Sequence, residues 1–537
     1  MAQGPAAGRG RSHGPHAGDT PGARTGKPGA RTGQAASRAD QAPGRTGQPA
    51  SRAGTPQGPR PGRRAPAGGR RGGTGGAPGR RIDPARLVAF EVLRAVRERD
   101  AYANLVLPAL LRERGLTGRD AAFATELSYG TLRGVATYDA VIAACSARGL
   151  DKIDPPVRDV LRLGAHQLLA TRVGAHAAVA TSVDLARETA GPGAAGFVNA
   201  VLRRVASRDL EAWIAAVAPA RADDLIGHLA VRYSCPAWIV GAFAESLGED
   251  TAAGMAETEA ALAASSVRPQ VALCAVPGLA SQAELVAAGA APAHWSPFGA
   301  YLEHGDPAAV AAVGEGRAAV QDEASQLAAL ALARVDVGAP DRRWLDLCAG
   351  PGGKARLLSG LAAQGGARLL AADARPHRAR LVVKAAVTEA AGVVVADGTA
   401  PAWRPGSFDR VIADVPCCGL GALRRRPDAR WRKSPADVPG LGHLQRGLLG
   451  SALNAARPGG AVAYVTCSPH VDETRAVVAD VLRGRDDVAV LDAPAVLAEV
   501  PGLRCPGPDG RYAQFWPHRH GTDAIFLALL QRRPVGG

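Results

Sequence analysis

The sequence predicts an α/β protein with a doubly wound, Rossmann-like domain that follows an all-α domain and a small mixed α+β domain. From residue 317 onward, strand-like and helix-like segments alternate, which is typical of a mostly parallel sheet with helices on both faces. Between residues 82 and 215, segments with apolar residues at helical spacing follow one another, with Gly or Pro near most ends. Asp83 and Pro84 together indicate the start of the first helix.

The composition divides the chain into four segments. Residues 1–81 contain fifteen Lys and Arg against two acids and no aromatic residue, so we expect a disordered basic tail. We predict a helical domain over residues 82–215 and the α/β domain over residues 317–537. Residues 216–316 show a less regular pattern, with one helix-like segment and short strands, and are predicted to form a small α+β domain that serves as a linker or binds RNA.

The net charge of +15 is concentrated in the tail, which carries +13 of it and leaves the rest of the chain close to neutral. The overall charge is therefore weak evidence for a nucleic-acid enzyme, and only local basic clusters in the body bear on that question. The tail itself fits two interpretations: nonspecific attraction to RNA through counterion release, or a solubilising extension.

The eight cysteines are scattered along the chain and form no C-x-x-C motif, which favours reduced thiols over a disulfide framework. The chain has no run of about 18 apolar residues, and its N-terminus lacks the apolar core of a signal peptide. We therefore predict a cytoplasmic protein that uses neither a membrane nor a metal.

A glycine loop lies between a strand and a helix of the α/β domain. The segment LDLCAGPGGKA covers residues 345–355, and glycines in such a loop let backbone amides approach a ligand closely. Gly350, Gly352 and Ala355 satisfy the loose dinucleotide-binding pattern, whereas a Walker A loop is excluded because Ala355 stands where Ser or Thr is needed. The loop alone does not identify the ligand.

Two acids end the strands that follow this loop. A carboxylate at Asp373 can accept hydrogen bonds from ribose hydroxyls, and Asp397 is placed to meet an adenine amino group. Asp397 also fits an ordinary cap after a strand. At this point NAD and S-adenosylmethionine suit the pattern nearly equally.

Two cysteines at strand ends bear on the choice between NAD and S-adenosylmethionine. Cys417 follows a predicted strand together with Asp414 and Pro416, and Cys467 follows the strand GAVAYVT. A lone Cys is usually a small buried hydrophobe, but carboxyl ends of parallel strands meet at one edge of a sheet. Two cysteines at such ends, beside a cofactor-type loop, favour a chemical role in one cleft.

Several motifs together carry a resemblance to known families. In the helical domain, FATELSYGTLRG, VLRLGAHQLLA and FVNAVLRR resemble the antitermination factor NusB, whose fold binds RNA. In the α/β domain, LDLCAGPGGKA, ADVPCCGLG, RRRPDARW and YVTCS resemble the RNA (cytosine-C5)-methyltransferases of the Sun/Fmu type. The combination is similar to the bacterial members that methylate small-subunit rRNA, and it implies a seven-stranded methyltransferase sheet.

The resemblance implies a role for each matching residue. Cys467 would be the nucleophile that adds to cytosine C6, Cys417 would assist release of the methylated product, and Asp414 would hydrogen-bond the N3/N4 edge of the base. Cys418 departs from the family, which usually has Ser or another small residue there, and we assign it no catalytic role. The implied cofactor is S-adenosyl-L-methionine, held by Cys348, Ala349, Gly350, Pro351, Gly352, Gly353, Lys354, Asp373, Asp397 and Asp414.

A basic run directly follows the first thiol motif, and it surrounds one tryptophan. Such a mixture suits backbone phosphates and base stacking, and a cytosine has to leave any helix before a pocket can receive it. The predicted RNA-binding residues are Arg424, Arg425, Arg426, Arg430 and Trp431.

The predicted function is therefore methylation of C5 of a cytosine in 16S rRNA by a monomeric enzyme. A tRNA substrate stays open, because the catalytic motifs do not distinguish the two RNAs. Two further alternatives are a noncatalytic RNA-binding factor that keeps a methyltransferase fold, and an NAD-dependent reductase. The reductase gives no reason for the paired thiols.

Overall fold

The computed structural model describes residues 82–248, 251–385, 391–507 and 509–534. The predicted disordered tail, residues 1–81, lies outside the described residues. In the part of the chain that is described, no helix combines the length and the apolar composition that crossing a bilayer requires.

The first described region is a bundle of helices, as predicted. Helix α1 begins at Pro84, where the Asp83 side chain accepts a hydrogen bond from the Arg86 amide at 2.9 Å, and Val88 and Val92 on its inner face are buried. Helices α1–α8 are Pro84–Arg99, Ala103–Glu113, Gly118–Arg133, Val135–Cys145, Pro155–Ala170, Ala175–Ala190, Pro192–Val205 and Leu210–Val217.

A small mixed region follows. Helices α9–α11 are Leu225–Arg232, Ala237–Leu247 and Ala252–Ser265. An antiparallel sheet of order β2-β3-β1-β4 comes next, and its edge strand β4 lies just beyond the predicted boundary at residue 316. Strands β1–β4 are Val271–Ala275, Ala291–Pro292, Gly299–Leu302 and Ala318–Val320, with helices α12 (Gln282–Ala287) and α13 (Ala311–Gly314) between them.

The C-terminal region is the predicted doubly wound sheet. Among the described residues, seven strands follow the order β10-β12-β9-β8-β5-β6-β7, and β11 pairs with β12. Strands β5, β6, β7, β8 and β9 run parallel, and β12 runs antiparallel to β9. Strands β5–β12 are Arg343–Asp346, Arg368–Asp373, Ala391–Val395, Phe408–Asp414, Ala456–Thr466, Val488–Val490, Ala513–Gln514 and Phe526–Arg532. Helices α14–α20 are Glu323–Arg334, Gly353–Gln364, Pro376–Lys384, Val438–Ala455, Arg475–Leu482, Ala493–Val496 and Pro517–His520.

Alternate residues of the central strands pack into two different cores. In β8, Ile412 joins the core that contains α14 and α15, whereas Val411 and Ala413 join the core that contains α17 and α18. Successive side chains of a strand point to opposite faces, so both faces of the sheet are covered by helices and the strands read as continuous apolar runs. The predicted fold class is confirmed.

Candidate active site

The candidate site lies where the parallel strands end. Strands β5, β6 and β8 end at Asp346, Asp373 and Asp414, and Cys467 directly follows the end of β9. These strands are neighbours with a parallel register, so their carboxyl ends meet at one edge of the sheet, where ligands bind in doubly wound folds. The tertiary structure thus brings together residues that are up to 121 positions apart in the chain.

The glycine loop after β5 folds tightly against the end of β6. The amide of Gly350 donates to Asp373 Oδ2 at 3.1 Å, and a Cβ atom on Gly350 would lie only 2.5 Å from that oxygen. Gly352 has a φ of +113°, which L side chains rarely adopt. Glycine is therefore required at both positions for the loop to pass close to the acid.

The two acids predicted to hold a nucleoside have different surroundings. Asp373 is buried, and its Oδ1 accepts from the Arg375 amide at 2.9 Å. Asp397 is exposed, and its Oδ1 accepts from the amide and the hydroxyl of Thr399. Asp373 holds the glycine loop in place, and Asp397 caps the turn after β7.

A buried ion pair lies at the centre of the site. Lys354 Nζ, at the start of α15, lies 3.0 Å from Asp414 Oδ2, and the lysine is only 8% exposed. Although burial opposes its charge, Asp414 raises the pKa of Lys354. Asp346 beside them is fully buried, and burial together with the charge of Asp414 raises its pKa to about 8.

The two thiols are neighbours, as predicted. Cys417 Sγ and Cys467 Sγ are 3.4 Å apart and are not joined by a disulfide. Both side chains are half-buried. The hydrogen bond from Cys417 lowers the pKa of Cys467 below that of a free thiol, and the Lys354 cation acts in the same direction. The same hydrogen bond, together with burial, raises the pKa of Cys417 well above its ordinary value. Cys467 is thus the thiol that ionises more readily.

A buried acid that sequence reasoning missed holds the loop that carries Cys417. Glu473 accepts from the amide of Cys418 at 2.8 Å and from Gln445 Nε2 at 3.2 Å, and Gln445 also donates to the Pro416 carbonyl. The Cys418 thiol hydrogen-bonds Glu473 and lies 3.2 Å from the Ser468 hydroxyl. Only the position of this acid, six residues after Cys467, signals its role in the sequence.

Comparison with known proteins identifies the family. Residues 335–531 match the family model described as 16S rRNA methyltransferase RsmB/F, and residues 83–207 match that of the NusB family. Ribosomal RNA small subunit methyltransferase B of Pseudomonas putida is 32% identical over 83% of this chain and 98% of its own length. The chain belongs to the RsmB/F family of RNA methyltransferases. The resemblance seen in the sequence is confirmed.

Two further similarities extend over most of this RsmB/F-family chain. A Mycobacterium tuberculosis protein whose name describes it as a methyltransferase is 52% identical over 85% of this chain and 98% of its own length. A crystal structure of a protein called PH0851 covers 84% of this chain and 99% of its own, with a TM-score of 0.68 and 20% identity. That structure shares the fold.

Two of the arginines predicted to meet RNA instead hold this methyltransferase together. Arg424 Nε and Arg425 Nε lie 2.7 and 3.0 Å from Asp523 Oδ1, and both guanidinium groups also contact Asp322. Arg424 is only 7% exposed. The prediction of RNA contact is corrected for both residues, because their charges are already neutralised inside the protein.

Arg430 is a third correction. It is fully buried and donates to the backbone carbonyls of Arg133, Tyr233, Ser234 and Ser265 at 2.8–3.1 Å. These carbonyls belong to the ends of α3, α9 and α11, so one guanidinium group joins the helical regions to the loop after β8. Both terminal nitrogens of its guanidinium group are therefore occupied by the protein.

Two predicted RNA-binding residues of this RsmB/F-family enzyme remain accessible. Arg426 is exposed and Trp431 is 42% exposed. Arg432, the residue after Trp431, pairs with Asp428 at 2.9 Å and with Asp100. The run of basic residues thus separates into buried structural arginines and a short exposed edge.

Proposed function

We propose that this RsmB/F-family enzyme methylates C5 of a cytosine in 16S rRNA, using S-adenosyl-L-methionine and a covalent bond between Cys467 and C6 of the base. One observation carries the proposal: the 3.4 Å separation of the Cys417 and Cys467 sulfur atoms at neighbouring strand ends. A single nucleophile needs no such partner, whereas addition and later elimination of a thiol require proton transfers beside it.

The residues present fit the proposed cofactor. The space beside Gly350 is closed to any side chain, and the buried Oδ2 of Asp346 has no hydrogen-bond donor among the described residues. An amino or hydroxyl group of a ligand would satisfy that oxygen. When bound, S-adenosyl-L-methionine supplies a methyl group on a positively charged sulfur. The residues proposed to hold it are Cys348, Ala349, Gly350, Pro351, Gly352, Gly353, Lys354, Asp373, Asp397 and Asp414.

The proposed chemistry starts at the more acidic thiol. The Cys467 thiolate adds to C6, and the electron pair of the C5–C6 double bond becomes available at C5 to form a bond to the methyl group, whose bond to the cofactor sulfur breaks and leaves its electron pair on that sulfur. Asp414 hydrogen-bonds the N3/N4 edge and favours protonation at N3. A base then removes the C5 proton, the C5–C6 double bond forms again, and the thiolate leaves C6. Cys417 assists this release by donating its proton to the leaving Cys467 sulfur, 3.4 Å away.

Methylation is tested with purified enzyme and two substrates, 16S rRNA and bulk tRNA. We expect methyl transfer to rRNA and a protected cytosine in bisulfite sequencing, with no protected cytosine when Cys467→Ala enzyme is used. In rRNA from a strain that lacks this enzyme, the same cytosine should no longer be protected from bisulfite. Methylation of tRNA alone would contradict the substrate, and affinity for NAD without affinity for S-adenosyl-L-methionine would contradict the cofactor.

Replacing Lys354 by Met should move the pH dependence of the reaction to higher pH. Loss of the cation disfavours the Cys467 thiolate, so its pKa rises and the thiolate is present only above a higher pH. We expect the single-turnover rate, at saturating cofactor, to fall about tenfold at pH 7 and to recover by about one pH unit higher. Lys354→Arg keeps the charge and should keep the profile. A reduced rate with an unshifted profile would show that Lys354 does not set the thiol pKa.

A further inference from the structure

A cavity outside the strand-end site lies where the NusB-like helices meet α9 and the end of α11. Its volume is about 320 Å³, and it shares no lining residue with the strand-end site. Arg268 and Ala170 on its wall are exposed, so the cavity opens at the surface. Its polar wall includes Glu126, Arg133, His166, Arg232, Ser266 and Arg268.

The cavity wall has more positive than negative charge. Arg232 is neutralised by Glu211, 2.8 Å away and outside the wall. Glu126 is the one carboxylate of the wall, and its Oε1 lies 3.5 Å from Nε2 of the His166 ring. In the part of the chain that the structure describes, neither Arg133 nor Arg268 has a carboxylate within 4 Å.

Two buried groups make this charge excess costly. Arg133 Nε is buried without a hydrogen-bond partner among the described residues, and burial lowers the pKa of Arg133. Behind the wall, Arg430 is held by the carbonyls of Tyr233 and Ser234, which line the cavity. Glu126 interacts with both Arg133 and Arg268 from beyond 4 Å, but one carboxylate offsets only one of the two charges. A buried cation without an anion close by is unfavourable, so an anion in this cavity would satisfy the remaining positive charge.

We propose that this cavity binds a phosphodiester phosphate of the RNA substrate, as a second RNA contact outside the methylation site. The proposal rests on the proposed function only in taking RNA as the substrate. Arginines are the preferred partners of phosphate oxygens, and the exposed Arg268 stands where a polynucleotide can reach the opening. The cavity lies between the NusB-like helices and helices α9 and α11 of the small mixed region. A phosphate bound there would therefore hold RNA against both regions.

The test measures affinity of the full-length protein for a 16S rRNA fragment at several KCl concentrations, without methyl donor. For Arg268→Ala we expect a Kd about fivefold higher, and a slope of log K against log salt that is smaller by about one. Arg119→Ala is the matched control, because Arg119 is an exposed arginine of α3, the helix that ends at Arg133. We expect it to change neither quantity.

A second variant fills the cavity without changing the charge. Ala170→Trp should weaken RNA binding as Arg268→Ala does, while the melting temperature stays that of the wild type. Wild-type affinity and slope in both variants would overturn the proposal, as would equal losses in Arg119→Ala. Calorimetry with inorganic phosphate separates the two sources of a phosphate group: binding of phosphate that depends on Arg268, with RNA affinity unchanged, assigns the cavity to a free anion and overturns the RNA proposal.

The outcome is independent of catalysis. Binding that depends on Arg268 and Ala170 in an enzyme that methylates nothing would support the cavity and contradict the proposed function. A wild-type enzyme that methylates 16S rRNA, with unaltered RNA binding in both variants, would support the proposed function and contradict the cavity proposal.

Discussion

Cys417→Ala enzyme incubated with RNA and S-adenosyl-L-methionine should accumulate as a covalent protein–RNA adduct that survives a denaturing gel, whereas Cys467→Ala should form none. Loss of the Cys417 hydrogen bond raises the pKa of Cys467, but the Lys354 cation still favours its thiolate, so Cys467 can still add to C6 when its neighbour is lost. Release is then blocked, because Cys417 no longer supplies its proton 3.4 Å away. We expect multiple turnover to fall about 1,000-fold or more in either variant.

A neighbouring thiol provides the control for this experiment. Cys418→Ser keeps a small hydroxyl toward Ser468 and Glu473 and should neither trap an adduct nor abolish turnover. The double variant Cys417→Ala with Cys467→Ala should form no adduct. Trapping by Cys467→Ala instead of Cys417→Ala would reverse the roles of the two thiols, and trapping by Cys418→Ser would assign a function to the residue in which this chain departs from its family.

Arg430→Ala should destabilise the protein more than any other change in the basic run. The substitution removes the donor from four backbone carbonyls and leaves a cavity between α3, α9 and α11. Each unpaired buried carbonyl costs about 1–3 kcal/mol, although water that enters the cavity recovers part of this. We expect a total loss of about 3 kcal/mol or more and an apparent Tm at least about 5 °C lower in calorimetry.

Two exposed neighbours separate stability from RNA binding. Arg426→Ala also removes an arginine side chain, but an exposed one. It should leave the Tm within about 1 °C of the wild-type value, while RNA affinity falls. Trp431→Ala should likewise weaken RNA binding by loss of stacking, by about 1–3 kcal/mol per base. An Arg430→Ala protein with wild-type Tm and reduced RNA affinity would contradict the structural role of Arg430. It would support the prediction from sequence that Arg430 binds RNA.

The fold and the position of the thiols could be predicted because they depend on local patterns. Apolar runs of strand length that lead to Asp373, Asp397 and Asp414 mark strand ends, and parallel strand ends meet at one edge of a sheet. From that rule alone, Cys417 and Cys467 are predicted to lie in one cleft. The sequence did not show the Lys354–Asp414 ion pair or the acid Glu473, because both depend on side-chain directions across separate elements.

The basic run shows where sequence reasoning stops. By itself, the sequence determined the order of the elements, the glycine loop, the two-thiol site and the family. Only the tertiary structure decided that Arg424 and Arg430 are buried and that Arg425 is half-buried in an ion pair, because their partners come from segments about 100 to 300 residues away in the chain. A run of arginines has the same composition on a surface and in an interface, and only packing determines whether a carboxylate, a carbonyl or RNA satisfies each guanidinium group.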